Sequence, residues 1–562
     1  MQWPVNICLR GNAPFASDEL AAYLSRCAGC RAGQQGYPIT LEATGGEGEG
    51  FHIAVTPEGT RIQSPCLRGV AYGVYAFLEW QFQCRFFAED CEVIPCRKDA
   101  ALIPGALSSS PDFAYRELYW RGAMDGRFAL KCRLNSACAQ ITPHMGGKTM
   151  FYNYSHTFET LVPAHRWFDS HPEYFSLVNG VRMREHSQLC LTNPDVLRLC
   201  IEGVRAWINE NPECHIFSVA QNDWYGACEC DACRAADQRE GSPAGTMIAF
   251  VNAIADAIAI ESPQVMLHTF AYLYTRKAPL TVRPRGNVIV RLCSIECCFS
   301  HPIGQCDHAI ANIDVEQGTA HHFAPCAHGF AEDLLAWSQC CDQLYIWDYT
   351  TNFSNYVQPF PNRQVLQPNL RLFQQCGVRG VFEQGNYAPG KASAFAPLKI
   401  YLLGKLLWHV EADVETLTTE FMAGYYGAPS AQAMLECLRL LEEAAMRHHM
   451  GIFDGAEVAY LDEGVLTRAD ILLARALALA EEAVYRERIR RERLSVTYAL
   501  LVRMPLDAPL RSERIDAFEM DAKELGITEL FERRELKASF ACMRRSRYAA
   551  EREGVPYQMY RL

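Results

Sequence analysis

Apolar runs alternate with amphipathic stretches between about residues 112 and 410, and this rhythm is the strongest constraint on the fold. The apolar runs have the length of β-strands, and helical stretches such as PDVLRLCIEGVRAWINEN and AGTMIAFVNAIADAIAI lie between most of them. Eight such units in roughly 300 residues predict a (β/α)8 TIM barrel. The predicted strands are YRELYWRGA, SACAQITPH, SQLCLTN, HIFSVAQND, VMLHTFAYL, NVIVRLCSIE, QLYIWDYT and GVRGVFEQG. Residues between Pro143 and Gln188 then form a long insertion in an early loop.

The segments on either side of the barrel have other patterns. Residues 1–108 predict a small α/β domain, with strands at GFHIAVTP and GTRIQSP and a helix at CLRGVAYGVYAFLEW. A Pro- and Ser-rich stretch follows it. Residues 411–562 are rich in Ala, Leu, Glu and Arg at helical spacing and predict an α-helical region. The predicted fold class is therefore α/β: a TIM barrel over 112–410 between these two regions.

Composition and charge restrict the partners. A net charge of -12 argues against nucleic acid or an anionic membrane surface as the main partner. No apolar run reaches the roughly 18 residues of a membrane span. The first residues carry no signal-peptide pattern, so we expect a cytoplasmic protein whose 25 cysteines are mostly reduced. The sequence leaves the oligomeric state open.

Four predicted strands end in, or run directly into, a carboxylate. The four acids are Asp223, Glu296, Asp348 and Glu383. Because the carboxyl ends of barrel strands surround one site, these acids are the predicted catalytic residues. Glycoside hydrolysis requires such a pair, one as acid and one as base or nucleophile. Glu296 and Glu383 are the first candidates because Glu reaches further into a wide cleft, while Asp223 either acts as the acid or orients a substrate acetamido group.

Aromatic and polar residues cluster at the same strand ends. Sugar rings stack on aromatic side chains, which favours a carbohydrate as the partner, although core packing is the alternative for each aromatic residue. The predicted substrate-binding residues are Asn222, Trp224, His156, His268, Tyr272, Trp347, Tyr349 and Asn386.

Three cysteines follow Asp223 in a C-x-C-x-x-C pattern. Cys228, Cys230 and Cys233 supply three thiolates, enough for one face of a tetrahedral Zn²⁺. Cys190 and Asp231 are candidates for the fourth ligand. The alternative is a turn lined by reduced cysteines. The predicted chemistry requires no cofactor, so any zinc here would be structural.

The stretch QNDWYGACECDACRAADQREGSPAGTMIAFVNAIADAI resembles the bacterial domain of unknown function 4838, which has a Gln-Asn-Asp cluster, a C-x-C-x-x-C and a Gly-Ser-Pro-rich helix start in this order. The likeness extends to HPEYFSLVNG, WDYTTNFSNYVQPFPN and GVRGVFEQGNY, over roughly residues 112–400. Some proteins with this domain are grouped as glycoside hydrolase family 163, endo-β-N-acetylglucosaminidases. The resemblance implies a glycosidase barrel, with N-acetylhexosaminides among the expected substrates.

The N-terminal stretch RGVAYGVYAFLEWQFQCRFFAEDCEVIP is similar to the small α/β domain that precedes the barrel in family 20 β-hexosaminidases and in α-glucuronidases. Family 20 enzymes carry an Asp-Glu pair at the end of the fourth strand, where this sequence has Asn222-Asp223-Trp224. The predicted function is thus hydrolysis of O-glycosidic bonds in oligosaccharides or glycans. Two alternatives stay open: an α-glucuronidase-like exo-enzyme and a non-catalytic carbohydrate-binding barrel.

Overall fold

The computed structural model describes residues 3–306, 329–391 and 394–546. Its first part is a mixed sheet with spatial order β2-β1-β3-β5-β4-β8, packed against two helices. The predicted strands and helix of this part are confirmed. The elements are β1 Asn6–Gly11, α1 Pro14–Ala28, β2 Arg31–Ala32, β3 Tyr37–Ala43, β4 Phe51–Thr56, β5 Gly59–Ser64, α2 Leu67–Phe82, the hairpin β6 Arg85–Ala88 and β7 Cys91–Val93, and β8 Gly105–Ser109.

The middle of the chain forms a curled parallel sheet with helices between its strands, which confirms the predicted α/β barrel class. Its spatial order is β10-β13-β14-β15-β16-β17-β9. The elements are β9 Tyr115–Tyr119, α3 Gly126–Lys131, β10 Phe151–Tyr152, α4 Phe158–Leu161, α5 Ala164–Trp167, β11 Leu177–Val178, β12 Val181–Arg182, α6 Pro194–Glu210, β13 Ile216–Ser218, α7 Asp231–Glu240, α8 Pro243–Ala259, β14 Met266–Ala271, β15 Val288–Cys293, α9 Phe330–Ser338, β16 Leu344–Tyr349, α10 Arg363–Gln375 and β17 Gly380–Gln384.

Within the described residues this sheet has seven strands, and two of the eight predicted strands are not among them. SACAQITPH forms no ladder, because side chains satisfy part of its backbone: Cys138 N donates to Glu117 Oε1 at 3.1 Å. SQLCLTN pairs with the insertion instead, since Cys190 N donates to Tyr174 O at 2.8 Å. The short strand β10, inside the predicted insertion, takes the edge position beside β13.

Strand alternation divides the sheet into an inner and an outer face. Tyr115, Ile216, Ile289 and Tyr345, from four different strands, form a separate apolar cluster inside the curl. Residues one position away on the same strands, such as Val290 and Ile346, belong instead to the large core shared with the helices. Odd and even positions of a strand therefore have different environments, and this decides which side chains can reach a site at the centre.

Helices dominate the last part of the described chain, as predicted. No single described helix is long and apolar enough to cross a membrane; the pair α7 and α8, bent by 104° at its break, passes that test together on length and composition. The remaining helices are α11 Ala396–Trp408, α12 Val414–Tyr426, α13 Ala428–Ala445, α14 Glu463–Leu479, α15 Ala483–Arg503, α16 Arg511–Glu524 and α17 Leu536–Arg545.

Candidate active site

A cavity of about 660 Å³ opens at the carboxyl ends of the barrel strands. This is the end at which TIM barrels place their catalytic groups. Aromatic side chains form much of its wall, and the acids among its described lining residues are one Asp and one Glu. The lining residues are Tyr119, Ala137, Cys138, Phe151, Asn153, Tyr154, Ser155, His156, Asp223, Phe270, Tyr272, Cys293, Ile295, Trp347, Tyr349, Gln384, Tyr387, Glu532 and Arg533.

Inward-facing positions of the strands supply the aromatic wall. On β16, Trp347 and Tyr349 point into the curl and line the cavity. The indole Nε1 of Trp347 donates to Gln384 Oε1 at 2.8 Å, which fixes the ring across two neighbouring strands. Its ring centroid lies 4.2 Å from that of Phe382 and 5.6 Å from that of Phe270. The predicted sugar platform at Trp347 is thus held in one orientation by its neighbours.

The floor beneath the cavity is buried and cationic. Arg291 is fully buried, and its guanidinium carbon lies 5.3 Å from the ring centroids of both Phe151 and Phe382. His268, a predicted substrate-binding residue, lies in this layer and not in the cavity wall; its Nδ1 lies 2.9 Å from Ser218 Oγ. Burial lowers the pKa of His268 well below its usual value, and the charge of Arg291 adds to this effect. His268 is therefore a neutral structural group.

Asp223 is the one predicted catalytic acid that lines the cavity. Its Oδ1 accepts a hydrogen bond from the Tyr272 hydroxyl at 2.9 Å and lies 3.6 Å from His156 Nε2. Its Oδ2 is buried and has no hydrogen-bond partner among the described residues. A buried carboxylate oxygen without a donor is costly, so this atom requires a donor from a bound molecule or water. Tyr272 and His156 line the cavity as well, where sequence reasoning expected them.

The residues around Asp223 hold its loop and do not reach the cavity. The Gln221 amide donates to Tyr272 O at 2.8 Å, and the Gln188 amide donates to the carbonyls of Asn222 and Trp224 at 2.8 and 2.7 Å. The Asn222 side chain donates in turn to Ser187 O at 2.8 Å. Asn222 was predicted to contact substrate, but its side chain is used within the loop. Sequence reasoning missed Gln188.

Trp224 and Asn386, two further predicted substrate-binding residues, also lie outside the cavity wall. The Trp224 indole stacks on His186 with a centroid separation of 3.9 Å. Asn386 is buried and its Oδ1 accepts a hydrogen bond from Ala388 N at 2.9 Å. Both residues shape the loops that surround the site.

The second acid in the cavity wall is Glu532, from the segment between α16 and α17. The Tyr387 hydroxyl donates to its Oε1 at 2.8 Å, and Arg533 Nε donates to the same hydroxyl at 3.1 Å. Burial raises the pKa of Glu532 to about 7; Tyr387 and Arg533 oppose this rise, and the charge of Asp223 adds to it. A carboxyl group with this pKa is protonated about half the time at neutral pH, as a general acid requires.

Backbone hydrogen bonds attach the Glu532 segment to the barrel loops. Glu532 N donates to Phe353 O at 3.1 Å, and Tyr356 N donates to Leu530 O at 2.9 Å. Arg533 has a φ of 58°, the left-handed region that non-glycine residues rarely adopt. The contacts with residues 353–356 join this distant part of the chain to the loop after β16.

The other three predicted acids are buried outside the cavity wall. Asp348 and Glu383 are register partners on β16 and β17, one position away from Trp347 and Gln384, so alternation directs them to the outer face of the sheet. Burial raises the pKa of Asp348 to about 6 and that of Glu383 well above its usual value, with the Asp348 charge adding to the latter. Because the two carboxyl groups are neighbours across the sheet, ionising both costs free energy through their mutual repulsion.

Glu296 forms a buried ion pair instead of facing the cavity. Its Oε2 accepts from Arg276 Nη1, and the same guanidinium donates through Nε to Asp333 Oδ2 at 2.8 Å. All three groups are almost completely buried. Burial raises the pKa of Glu296, and Arg276 opposes the rise. This network joins the loop after β15 to α9.

Some lining residues could have been found from the sequence and some could not. Tyr119 and Gln384 lie at inward positions of predicted strands, so alternation alone would have selected Gln384 over Glu383. Tyr154 and Tyr387 follow strands closely, and the hydroxyl of Tyr154 lies 3.0 Å from that of Tyr119. Glu532 carries no such signal, because it lies in a loop of the helical region.

Four cysteines come together next to the Asp223 loop. Cys228, Cys230 and Cys233 are joined by Cys190, and the four sulfurs lie within 4.8 Å of one another. Cys190 Sγ lies 3.7 Å from Cys230 Sγ and 3.9 Å from Cys233 Sγ. A tetrahedral Zn²⁺ with Zn–S bonds of about 2.3 Å holds its sulfurs about 3.8 Å apart, so this set fits zinc. Asp231, the other candidate, is exposed on α7 and does not belong to the group.

Solved structures share this architecture and show the class of fold. A family GH115 4-O-methyl-α-glucuronidase with specificity for decorated arabinogalactans superimposes with a TM-score of 0.54 at 11% sequence identity. The superposition covers 98% of this chain and 78% of the glucuronidase chain. A family 89 glycoside hydrolase from Clostridium perfringens, in complex with 2-acetamido-1,2-dideoxynojirmycin, superimposes with a TM-score of 0.51 at 9% sequence identity. The superposition covers 91% of this chain and 65% of the hydrolase chain. The chain thus has a glycosidase-like fold.

A family model then identifies the chain more closely. The model of the domain of unknown function DUF4838 matches residues 86–438, more than half of the sequence, and the chain belongs to this family. No curated protein matches the sequence. The match includes Asp223 and the four cysteines, and it ends before Glu532.

Proposed function

We propose that this protein is a glycoside hydrolase that cleaves O-glycosidic bonds of oligosaccharides or glycans with Asp223 and Glu532. The observation that carries the proposal is the pair of carboxyl groups in one aromatic cavity, one with a buried oxygen that lacks a donor and one with a pKa of about 7. Two carboxyl groups with different environments are the usual requirement for acid and base roles in this chemistry. The glycosidase-like fold supports the same conclusion.

Each residue then has a separate role. Glu532, protonated in part at neutral pH, donates its proton to the oxygen of the leaving group. Asp223 faces the sugar with Oδ2, while Tyr272 fixes the carboxyl group through Oδ1. Asp223 either attacks the anomeric carbon or accepts the N–H of an acetamido group that attacks in its place. Trp347, Tyr349 and Tyr119 provide rings against which the sugar packs.

The donor that Asp223 Oδ2 requires favours a 2-acetamido sugar as the substrate. An acetamido N–H is a fixed donor, whereas a sugar without it offers only rotatable hydroxyl groups. A glucuronide is the second candidate, because the Arg533 guanidinium in the cavity wall could pair with a uronate carboxylate. A panel of aryl β-N-acetylhexosaminides, aryl α- and β-glucuronides and N-glycans distinguishes the two.

The test of the proposal is turnover by the full chain and by three variants. We expect Asp223→Asn and Glu532→Gln to lose most of the activity on the substrate that wild type cleaves. Glu535→Gln serves as the matched control, because Glu535 is an exposed acid three residues from Glu532. Equal activity of Glu532→Gln and Glu535→Gln would contradict the role of Glu532. Sugar binding without turnover of any substrate would favour the non-catalytic alternative.

We also propose that the Cys190, Cys228, Cys230 and Cys233 group holds a structural zinc. Two further contacts support it: Leu177 N and Arg182 Nη1 lie 3.4 and 3.7 Å from Cys228 Sγ and stabilise a thiolate. The zinc would fix the loop that begins with Asp223 and takes no part in the reaction. Zinc content of the purified protein tests it, and Cys230→Ser should reduce that content by one equivalent per chain.

A further inference from the structure

A second group of cysteines and histidines, separate from the Cys190 group, lies between the loop after β15 and the segment after α13. Its members are Cys298, His301 and Cys306, which follow β15, and His449, which follows α13. One ligand atom from each lies within 4.8 Å of the others. The three residues after β15 have the spacing C-x-x-H-x4-C, and the fourth comes from more than 140 residues further along the chain.

The distances within this group match those around zinc. Cys298 Sγ lies 3.3 Å from His301 Nδ1, and Cys306 Sγ lies 3.6 Å from His449 Nδ1. A tetrahedral Zn²⁺ with Zn–S bonds of about 2.3 Å and Zn–N bonds of about 2.05 Å places sulfur and nitrogen about 3.5 Å apart. The two imidazole centroids are 5.1 Å apart at an interplanar angle of 71°, so the rings do not stack on each other.

The surroundings orient one of the imidazoles for metal binding. His301 Nε2 lies 2.9 Å from Met446 O. A carbonyl accepts only from a protonated nitrogen, so this contact leaves Nδ1 of the neutral ring with its lone pair toward Cys298. Metal-ligating histidines commonly have their second nitrogen fixed in this way by a carbonyl or carboxylate.

Adjacent backbone contacts hold the two parts of the group together. Phe299 N donates to Met450 O at 2.8 Å, and Ser300 Oγ donates to His448 O. The loop after β15 therefore contacts the segment after α13 on both sides of His449 in the sequence. The same loop contains Glu296, whose ion pair with Arg276 joins it to the barrel.

We infer that Cys298, His301, Cys306 and His449 form a second zinc site, of the Cys2His2 type, which ties the loop after β15 to the helical region. The site is structural, because four protein ligands complete a tetrahedron and leave no position for substrate. It lies outside the proposed reaction and does not depend on the glycosidase activity. Removal of the metal should loosen the attachment of the helical region to this loop.

Metal content tests the inference on the full chain. Protein expressed with zinc in the medium, purified without chelator and measured by inductively coupled plasma mass spectrometry should hold two zinc ions per chain. His449→Ala should hold one, Cys230→Ser should hold one, and the double variant none. His448→Ala is the matched control, since its exposed side chain adjoins the site but is not a ligand, and it should hold two.

Cobalt substitution provides a second, spectroscopic readout on the same variants. Co²⁺ bound to thiolates gives charge-transfer absorption that grows with the number of thiolates, so His449→Ala should reduce the wild-type intensity by about one third, two thiolates of six. Unchanged zinc content and cobalt absorption in His449→Ala would overturn the inference. A Cys298–Cys306 disulfide, found by mass spectrometry of the alkylated protein before reduction, would overturn it equally.

Discussion

The proposed acid role of Glu532 predicts how activity depends on pH and on the leaving group. Because the pKa of Glu532 is raised to about 7, the proton-donating form is about 90% populated at pH 6 and about 10% at pH 8. We therefore expect kcat/KM to fall roughly tenfold between these values, with an apparent pKa near 7 on the basic side. Glu532→Gln, which has no titratable proton, should lack this basic limb.

Substrates with different leaving groups distinguish loss of proton donation by Glu532 from a structural effect of the substitution. Loss of a general acid costs about 10²–10⁴ in rate where the leaving oxygen must be protonated. A 2,4-dinitrophenyl glycoside leaves without protonation, so Glu532→Gln should retain most of its activity on this substrate and lose it on natural glycans. The assay is initial rates on both substrates from pH 5 to 9. A uniform loss on both, or a basic limb that persists in Glu532→Gln, would refute the assignment.

Three further predictions concern the wall and the outer face of the barrel. Tyr272→Phe removes the hydrogen bond to Asp223, worth about 1.5–3 kcal/mol, and should lower kcat/KM roughly 10- to 150-fold without changing the melting temperature by more than a few degrees. Trp347→Ala should raise KM more than it lowers kcat, because it removes a binding surface, and saturation kinetics measure both. Glu383→Gln should retain activity and become more stable than wild type as pH rises. The pKa of Glu383 is raised in the folded state, so folding favours its protonated form. The free energy of unfolding of wild type therefore falls as pH rises from the usual carboxyl pKa through the raised pKa, whereas the variant has no such fall. Thermal melts from pH 4 to 9 test the sign.

Strand periodicity explains how much of the barrel could be predicted. Six of the eight predicted strands occur, because apolar runs of this length between amphipathic helices have few other ways to bury their surface. The two predicted strands that do not form lie next to the insertion, where a hydrogen bond to the Glu117 carboxylate and backbone hydrogen bonds with residues 174–176 replace a strand ladder. Such substitutes depend on the folded insertion and leave no local pattern in the sequence.

A difference of one position along a strand decides which side chains face the cavity and which acids do not. In Trp347-Asp348-Tyr349 and Phe382-Glu383-Gln384 the acid stands between two inward residues, so the period of two that predicts the strand also places the acid on the outer face. The sequence thus contained enough information to reject Asp348 and Glu383. Asp223, which sequence reasoning ranked after Glu296 and Glu383, reaches the cavity because it lies beyond the strand in a loop fixed by Gln188 and Gln221.

The helical region supplies two groups that local sequence patterns could not assign. Glu532 reaches the cavity because residues 530–532 bond to the loop after β16, and His449 reaches the cysteines because residues 448–450 bond to the loop after β15. Both residues lie beyond residue 438, where the match to the DUF4838 family ends. The family region by itself therefore contains Asp223 and its binding surface but not the proposed acid. If the proposed roles hold, the position of Glu532, unlike that of Asp223, depends on how the C-terminal helices pack against the barrel. Changes to that packing should therefore affect protonation of the leaving group before they affect sugar binding.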